Sequence, residues 1–177
     1  MTTSEHAPMP VPDFGDEDTD RKICFIASKG TLDMVYPSLV MANAALGEGI
    51  ETHIFFTFWG LDIVTKKHMT DLQFTWLGNT AMHPPGRKLH MPQGIAGLPG
   101  MTKMATKMMK KQIADLDVPD VPEFVQMIAD AGGHLWACKM SVDMMGLTED
   151  DMIEDVEGII SATDFIELSA GGQVIFT

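Results

Sequence analysis

At 177 residues with a net charge of -13, the chain has the length of one domain and can bury a proper core. The acidity argues against nucleic acid as a partner. No apolar run approaches the roughly 20 residues needed to cross a bilayer, and the first residues carry neither the basic nor the apolar region of a signal peptide, so a cytoplasmic protein is expected.

Residues 1–20 read as a disordered acidic tail. Glu5, Asp13, Asp16, Glu17, Asp18 and Asp20 stand there without a Lys or Arg, and Pro8, Pro10 and Pro12 oppose helix. The remainder, 21–177, reads as a single α/β domain. Arg21 to Ser28 is a continuous apolar run of the kind found in central parallel strands, and Cys24 inside it reads as core filler. Ser28-Lys29-Gly30-Thr31 forms the first strand-to-helix loop, with Thr31 or Ser28 as the cap of a helix over about Leu32–Leu46. Leu32, Val35, Leu39, Ala42, Ala45 and Leu46 share one face of that helix. Pro37 is tolerated near its start or kinks it, and Gly47 and Gly49 end it. Ile50–Phe58 is the second strand. Trp59-Gly60 turns out of it, and Leu61–Lys66 follows as a short helix.

Residues 68–99 form a Gly/Pro/Met-rich insertion with no sustained period. It carries His83 and His90 beside Met82 and Met91, and a loop of this length suits a lid, an interface arm or local disorder. Met101–Ala114 is helical, with Met101, Met104, Met108 and Ile113 as an approximate stripe and Lys103, Lys107, Lys110 and Lys111 elsewhere. A core or oligomer helix with solvated lysines is favoured over one lying on a membrane surface or a partner. Pro122 sits in the first turn of a helix over Glu123–Ala131, which ends at Gly132-Gly133. His134–Ala137 is a strand and leads into a short helix that stops at Gly146. Thr148-Glu149-Asp150-Asp151 resembles a capping box and predicts a helix ending near Val156. Gly158–Ser161 is a short strand, and the helix within 161–169 takes Ser161 or Thr163 as its cap. Gly171-Gly172 then turns into Gln173–Phe176, an edge strand. Alternating strands and helices predict an α/β sandwich with a mainly parallel sheet of about five strands.

Chemistry concentrates on Cys138. It sits where a strand ends and a helix begins, the edge at which open α/β sheets gather ligands and reactive groups. A thiol there faces the positive end of a helix dipole, which favours thiolate, and Lys139 adds a neighbouring charge. The alternative is a buried cysteine that only fills space. The two cysteines, Cys24 and Cys138, cannot build a disulfide framework and lack zinc spacing; in the cytosol a reduced pair, with one reactive member, is the expectation.

Other chemistries find weaker support. His83, His90, Met82 and Met91 could bind a soft metal with Cys138, although no HxxxH or CxxC spacing is present and loop histidines are ordinarily surface groups. Ser28-Lys29-Gly30-Thr31 echoes the end of a phosphate loop but lacks the glycine-rich run that cradles phosphate. Its backbone donors and cation fit better as a holder of thiolate or persulfide at the Cys138 edge. No nucleophile elbow marks a serine triad.

Three segments in order carry a family resemblance. They are Ile26-Ala27-Ser28-Lys29-Gly30-Thr31-Leu32-Asp33-Met34, Phe55-Phe56-Thr57-Phe58-Trp59-Gly60, and Cys138-Lys139-Met140-Ser141-Val142-Asp143-Met144-Met145-Gly146. Together they resemble the DsrE/DsrF-like sulfur-carrier family, in its longer DsrE-related or peroxiredoxin-like branch, over about residues 21–177. The resemblance implies a flavodoxin-like three-layer α/β sandwich that forms homo-oligomers. It implies sulfane sulfur carried on Cys138 as a persulfide or thiosulfonate. Exchange would be with rhodaneses and small TusA-type carriers, with a larger sulfur-oxidising complex as a further setting. Ser28, Lys29, Gly30, Thr31, Trp59, Gly60 and Lys139 are the expected substrate-binding residues around that thiol. No metal, nucleotide or other cofactor is required, and the chain would act as a sulfurtransferase or as a carrier without turnover. No peroxiredoxin active-site pattern accompanies the name of the branch. Two alternatives belong to other classes: a non-catalytic docking subunit that uses the Met-rich helix, and a metal-binding module at His83, His90 and Cys138.

Overall fold

A computed structural model describes residues 20–79 and 92–177. Five strands build one sheet: β1 (Lys22–Ala27), β2 (Glu51–Phe56), β3 (His134–Cys138), β4 (Val156–Ile160) and β5 (Gln173–Phe176). Every pairing is parallel, in the order β4-β3-β2-β1-β5. The carboxyl ends of all strands therefore lie on one edge, and each connection must cross a face of the sheet. Those crossings include α1 (Leu32–Gly47), α2 (Gln93–Ala96), α3 (Met101–Ala114), α4 (Val121–Asp130), α5 (Lys139–Met145) and α6 (Ala162–Leu168).

Side chains alternate between the two faces. On one face Phe25, Ala27, Ile54, Phe56, Leu135 and Ala137 pack against Val35, Leu39 and Ala42 of α1 and Phe124, Val125 and Ile128 of α4. The other face is smaller. Cys24, Phe55 and Cys138 meet Phe165 of α6 there, and the Phe55 and Phe165 rings stack with centroids 4.5 Å apart. Helices on both faces make the expected three-layer sandwich.

The amino end of the smaller face is polar. Trp136 Nε1–H donates to His53 Nδ1 at 3.2 Å, and His53 Nε2 lies 2.8 Å from Glu51 Oε1. An indole can only donate, so Nδ1 must be the bare nitrogen and Nε2–H donates to the carboxylate. His134 stacks on His53 with centroids 4.6 Å apart. Burial therefore holds His53 below the ordinary imidazole value, with the nearby His134 pushing the same way, and the Glu51 hydrogen bond only partly opposes this.

Two glycines lock the carboxyl edge. A Cβ on Gly60 would stand 2.0 Å from the Ala27 carbonyl oxygen, and one on Gly30 would stand 2.3 Å from the Trp59 carbonyl oxygen. The β1–α1 loop and the turn after β2 thus interdigitate at distances that no side chain permits.

Four details depart from expectation. Strand β2 stops at Phe56, because the chain enters a 3₁₀ helix over Phe58–Ile63. The helix predicted from Thr148 reduces to a 3₁₀ turn over Glu149–Asp151. There, Lys66 N–H donates to the Asp151 carbonyl and Ile153 N–H donates to the Val64 carbonyl, so the backbone groups that a helix needs are taken by the 64–66 segment. Within 71–76 no helix or strand forms, yet burial has a period of two: Leu72, Phe74 and Trp76 alternate into the core. Phe74 is fixed by Thr106 of α3, whose Oγ1 accepts from its N–H at 2.9 Å. On α3, Met104 is exposed and Ala105 is buried instead, while Met101, Met108 and Ile113 do pack on the core. Residues 1–19 and 80–91, including Met82, His83, His90 and Met91, lie outside the described residues.

Gly60→Ala is expected to lower stability by roughly 3 kcal/mol, the upper range of overpacking, whereas Gly47→Ala, with open space around it, should not destabilise; urea midpoints of the two variants check this. His53 gives a pH dependence. Its folded value is depressed, so its contribution is complete above about pH 6.5, the ordinary imidazole value, and is lost as pH falls toward the folded value, because the unfolded chain takes up the proton first. His53→Gln should flatten that part of the stability profile, read as urea midpoints between neutral and mildly acidic pH.

Candidate functional site

Cys138 closes β3 and occupies the N-cap position of the seven-residue helix α5. Its side chain points to the smaller face, and the residue is only 4% exposed. Phe56 is aligned with Ala137 across the sheet, which sets Thr57 beside Cys138. Ser141 lies one turn into α5 and is fully buried. Its Oγ shares a hydrogen bond of 3.1 Å with Thr57 Oγ1 and accepts from Phe58 N–H at 2.9 Å. Phe58 itself sits at φ 46°, a left-handed conformation that side chains disfavour. The Ser141 bond thus pins a strained turn to the helix that follows the thiol.

These groups set the acidity of the sulfur. Burial pushes the Cys138 thiol up, yet the Ser141 hydroxyl and amide, the Thr57 hydroxyl and the Met140 amide together outweigh burial and hold it below the ordinary thiol value. The Met140 and Ser141 amides are those of the second and third residues of α5, so the sulfur at the N-cap lies where the helix presents its free N–H groups, without closing a formed cap bond. Cys24 lacks such donors. Burial raises its thiol, Glu51 adds to this, and Lys22 only partly offsets it. One face of the sheet therefore holds one thiol eased toward ionisation and one held away from it.

The two thiols cannot meet. Cys24 aligns with His53, and His53 with His134. Cys138 is thus two strands across and four residues along, a Cα separation of about 16 Å from strand spacing and rise, far beyond the roughly 7 Å limit for a disulfide.

The other expected site residues divide. Gly60 is packed on Ala27, next to Thr57 and Phe58, and Gly30 is packed on Trp59. Gly30, Thr31 and Trp59 line a cavity of about 530 Å³ with Asp62, Lys67 and Asp71; Cys138 is not part of its lining. Ser28 Oγ donates to the Thr177 carbonyl at 2.9 Å, so this hydroxyl fastens the carboxyl end of the described chain. Lys29 is exposed. Lys139 points to solvent and pairs with Asp143 at 3.5 Å. The largest influences on the sulfur are hydroxyls and amides rather than the lysine that follows it. Thr57 and Ser141 were not singled out from sequence. The available signal was their position: Ser141 three residues after the thiol, one helical turn, and Thr57 at the end of the neighbouring strand.

Among the described residues no group of three His, Cys, Asp or Glu is placed to hold a metal ion, and no helix is long and apolar enough to cross a membrane.

The family model for the DsrE/DsrF/DrsH-like family matches residues 19–175. The chain belongs to that family. It is 34% identical over 155 residues to the sulfur carrier protein DsrE2 of Allochromatium vinosum, covering 87% of this chain and 96% of that one. It is 29% identical over 142 residues to the uncharacterized protein YrkE of Bacillus subtilis, covering 77% and 84%. In fold it resembles the crystal structure of the ychN protein from E. coli, with TM-score 0.53, 11% identity and coverage of 89% and 99%. It also resembles a protein of unknown function from Methanobacterium thermoautotrophicum, with TM-score 0.54, 12% identity and coverage of 89% and 100%. The family assignment and the α/β sandwich agree with the resemblance carried by the three sequence segments.

Limiting iodoacetamide at neutral pH is expected to label Cys138 and to leave Cys24 unmodified until denaturant is added. Peptide mapping of the alkylated chain checks this; equal labelling of the two in the folded protein would contradict the difference in their surroundings.

Proposed function

We propose that this chain traffics sulfur, holding sulfane sulfur on Cys138 as a persulfide or thiosulfonate and passing it between sulfurtransferases of the rhodanese type and small TusA-type carriers. The observation that carries this reading is a buried thiol, held below the ordinary thiol range by neighbouring hydroxyls and amides, at the carboxyl end of β3, in a chain 34% identical to a sulfur carrier protein. A thiolate is the attacking species in sulfur exchange. Cys138 Sγ attacks the outer sulfur of a donor persulfide, the donor's S–S bond breaks, and the donor leaves as a thiolate. The product is Cys138-S-SH. An acceptor thiolate then attacks that outer sulfur, and Cys138 Sγ departs with the electron pair. Neither step needs a metal, a nucleotide or a redox partner.

The surroundings suit a cargo that must be both sheltered and delivered. The sulfur is nearly closed off, while Phe58, Trp59, Met140 and Met144 nearby are exposed apolar side chains. Such a rim favours a protein partner, and methionine surfaces adapt to more than one shape. A homo-oligomer is part of the same reading. It is supported by Ile166, Val174 and Phe176, which are exposed on α6 and on the edge strand β5.

Intact mass after incubation with polysulfide, thiosulfate and tetrathionate tests the proposal. Wild type and Cys24→Ser should gain a sulfur-bearing adduct that a reductant removes, and Cys138→Ser should gain none. Equal loading of the Cys138→Ser chain would reject the assignment.

A further inference from the structure

The hydroxyl pair beside Cys138 has a property that neither residue has alone. Thr57 Oγ1 and Ser141 Oγ lie 3.1 Å apart, and either can donate to the other. Phe58 N–H already donates to Ser141 Oγ. The two hydroxyls own two protons, and their mutual bond uses one. Among the described residues neither hydroxyl has another acceptor: no carbonyl or carboxylate takes a bond from Thr57 or Ser141, even though both residues are buried. Cys138 Sγ, beside Thr57 in register and one helical turn before Ser141, is the neighbouring acceptor to which the remaining proton is left. If Ser141 donates to Thr57, the Thr57 O–H is left for Cys138; if Thr57 donates to Ser141, the Ser141 O–H is left.

We propose that Thr57 and Ser141 act as a reversible donor pair that keeps one O–H on Cys138 Sγ in either orientation, stabilising the negative charge that sulfur carries each time it attacks or departs. The inference rests on the sulfur-carrier reading for its use in transfer, but the donor pair itself is a property of the free thiol. Its chemical consequence is greatest at discharge. An acceptor thiolate R–S⁻ attacks the outer sulfur of Cys138-S-SH, the bond between the two sulfurs breaks, its electron pair goes to Cys138 Sγ, and R-S-SH is formed. A lower-pKa thiol leaves faster, so a hydrogen bond to Sγ lowers the barrier to giving the cargo away. Shelter by burial and readiness to discharge are opposing demands on one atom, and the donor pair satisfies the second without opening the site. The charged neighbours play a smaller part: Lys139 is held by Asp143 at the surface, and Cys24 on the same face is kept neutral by burial.

The arrangement predicts redundancy. Thr57→Val leaves Ser141 with the sulfur as its acceptor, and Ser141→Ala leaves Thr57 likewise. Only the double variant removes every hydroxyl. The pH dependence of iodoacetamide alkylation at Cys138, measured in a Cys24→Ser background, should move up by well under one unit in each single variant. In the double variant it should move by about one unit or more, more than the sum of the singles. The combination Thr57→Ser with Ser141→Ala retains one hydroxyl and should restore the single-variant profile. Discharge of persulfide to a thiol acceptor should slow roughly threefold in the double variant, as expected for a poorer leaving group. An unshifted alkylation profile in the double variant overturns the proposal, and so does a single variant that shifts as far as the double. If the double variant does not fold, the two single variants decide, because a shift of about one unit or more in either overturns the redundancy. Alkylation needs no sulfur cargo. A chain that shows the hydroxyl dependence but never loads sulfur keeps the donor pair and loses the carrier reading, and the reverse result does the opposite.

Discussion

The hydrogen bond from Phe58 N–H to Ser141 Oγ is the tie on which the site depends. It joins the exit of β2 to the first turn of α5, two segments 83 residues apart in sequence. It is the side-chain bond that meets the left-handed Phe58, while Thr57 N–H donating to the Ala27 carbonyl holds the same turn to β1. The turn it fixes is the same one whose Gly60 lies against Ala27 and whose Trp59 carbonyl lies against Gly30. One polar contact at Cys138 is thus continuous, through backbone packing, with the loop after β1. The edge is rigid where three strands end, and the thiol is set into that rigid edge.

Much of this was legible in the sequence because it depends on short-range pattern. The apolar runs at β1 and β3, the helix α3, and the cap of α6 by Ser161 are local signals, and they appear where they were expected. So does the placing of Cys138 at a strand-to-helix junction. What sequence did not reveal is long-range. The chain after Thr148 carries a good helix start, but its backbone groups are claimed by residues 64–66, and tertiary pairing overrides local preference. The alternation of Leu72, Phe74 and Trp76 was hidden among turn residues, and its partner Thr106 lies far along the chain. The surroundings of the thiol are long-range in the same way. Lys139 is its neighbour in sequence and the natural candidate to influence it, yet a lysine at a helix surface finds an acid one turn on. Thr57, distant in sequence, is beside the sulfur because two strands happen to be in register.

The two faces of the sheet serve different ends. The large core between the sheet, α1 and α4 is built of apolar side chains, its buried hydroxyls of Ser38 and Thr52 each donating to a backbone carbonyl, and supplies most of the burial that holds the chain together. The smaller face mixes thiols, aromatic rings and the Trp136–His53–Glu51 chain of hydrogen bonds. A polar network in a thin layer contributes little net stability, but it fixes orientation, and Trp136 is held two residues before the thiol. Stability is concentrated on one side, which leaves the other side free to be specialised.

The diagonal placement of Cys24 and Cys138 has a consequence for oxidative chemistry. A cysteine oxidised by peroxide passes through a sulfenic acid, and a second thiol within reach captures it as a disulfide before it goes further. At a separation of about 16 Å across the sheet, Cys24 cannot serve as that resolving thiol for Cys138. An oxidised Cys138 must be rescued by a thiol from outside the chain, entering by the same path that a sulfur acceptor would use. The geometry that excludes an internal disulfide therefore leaves repair of the site to a visiting nucleophile.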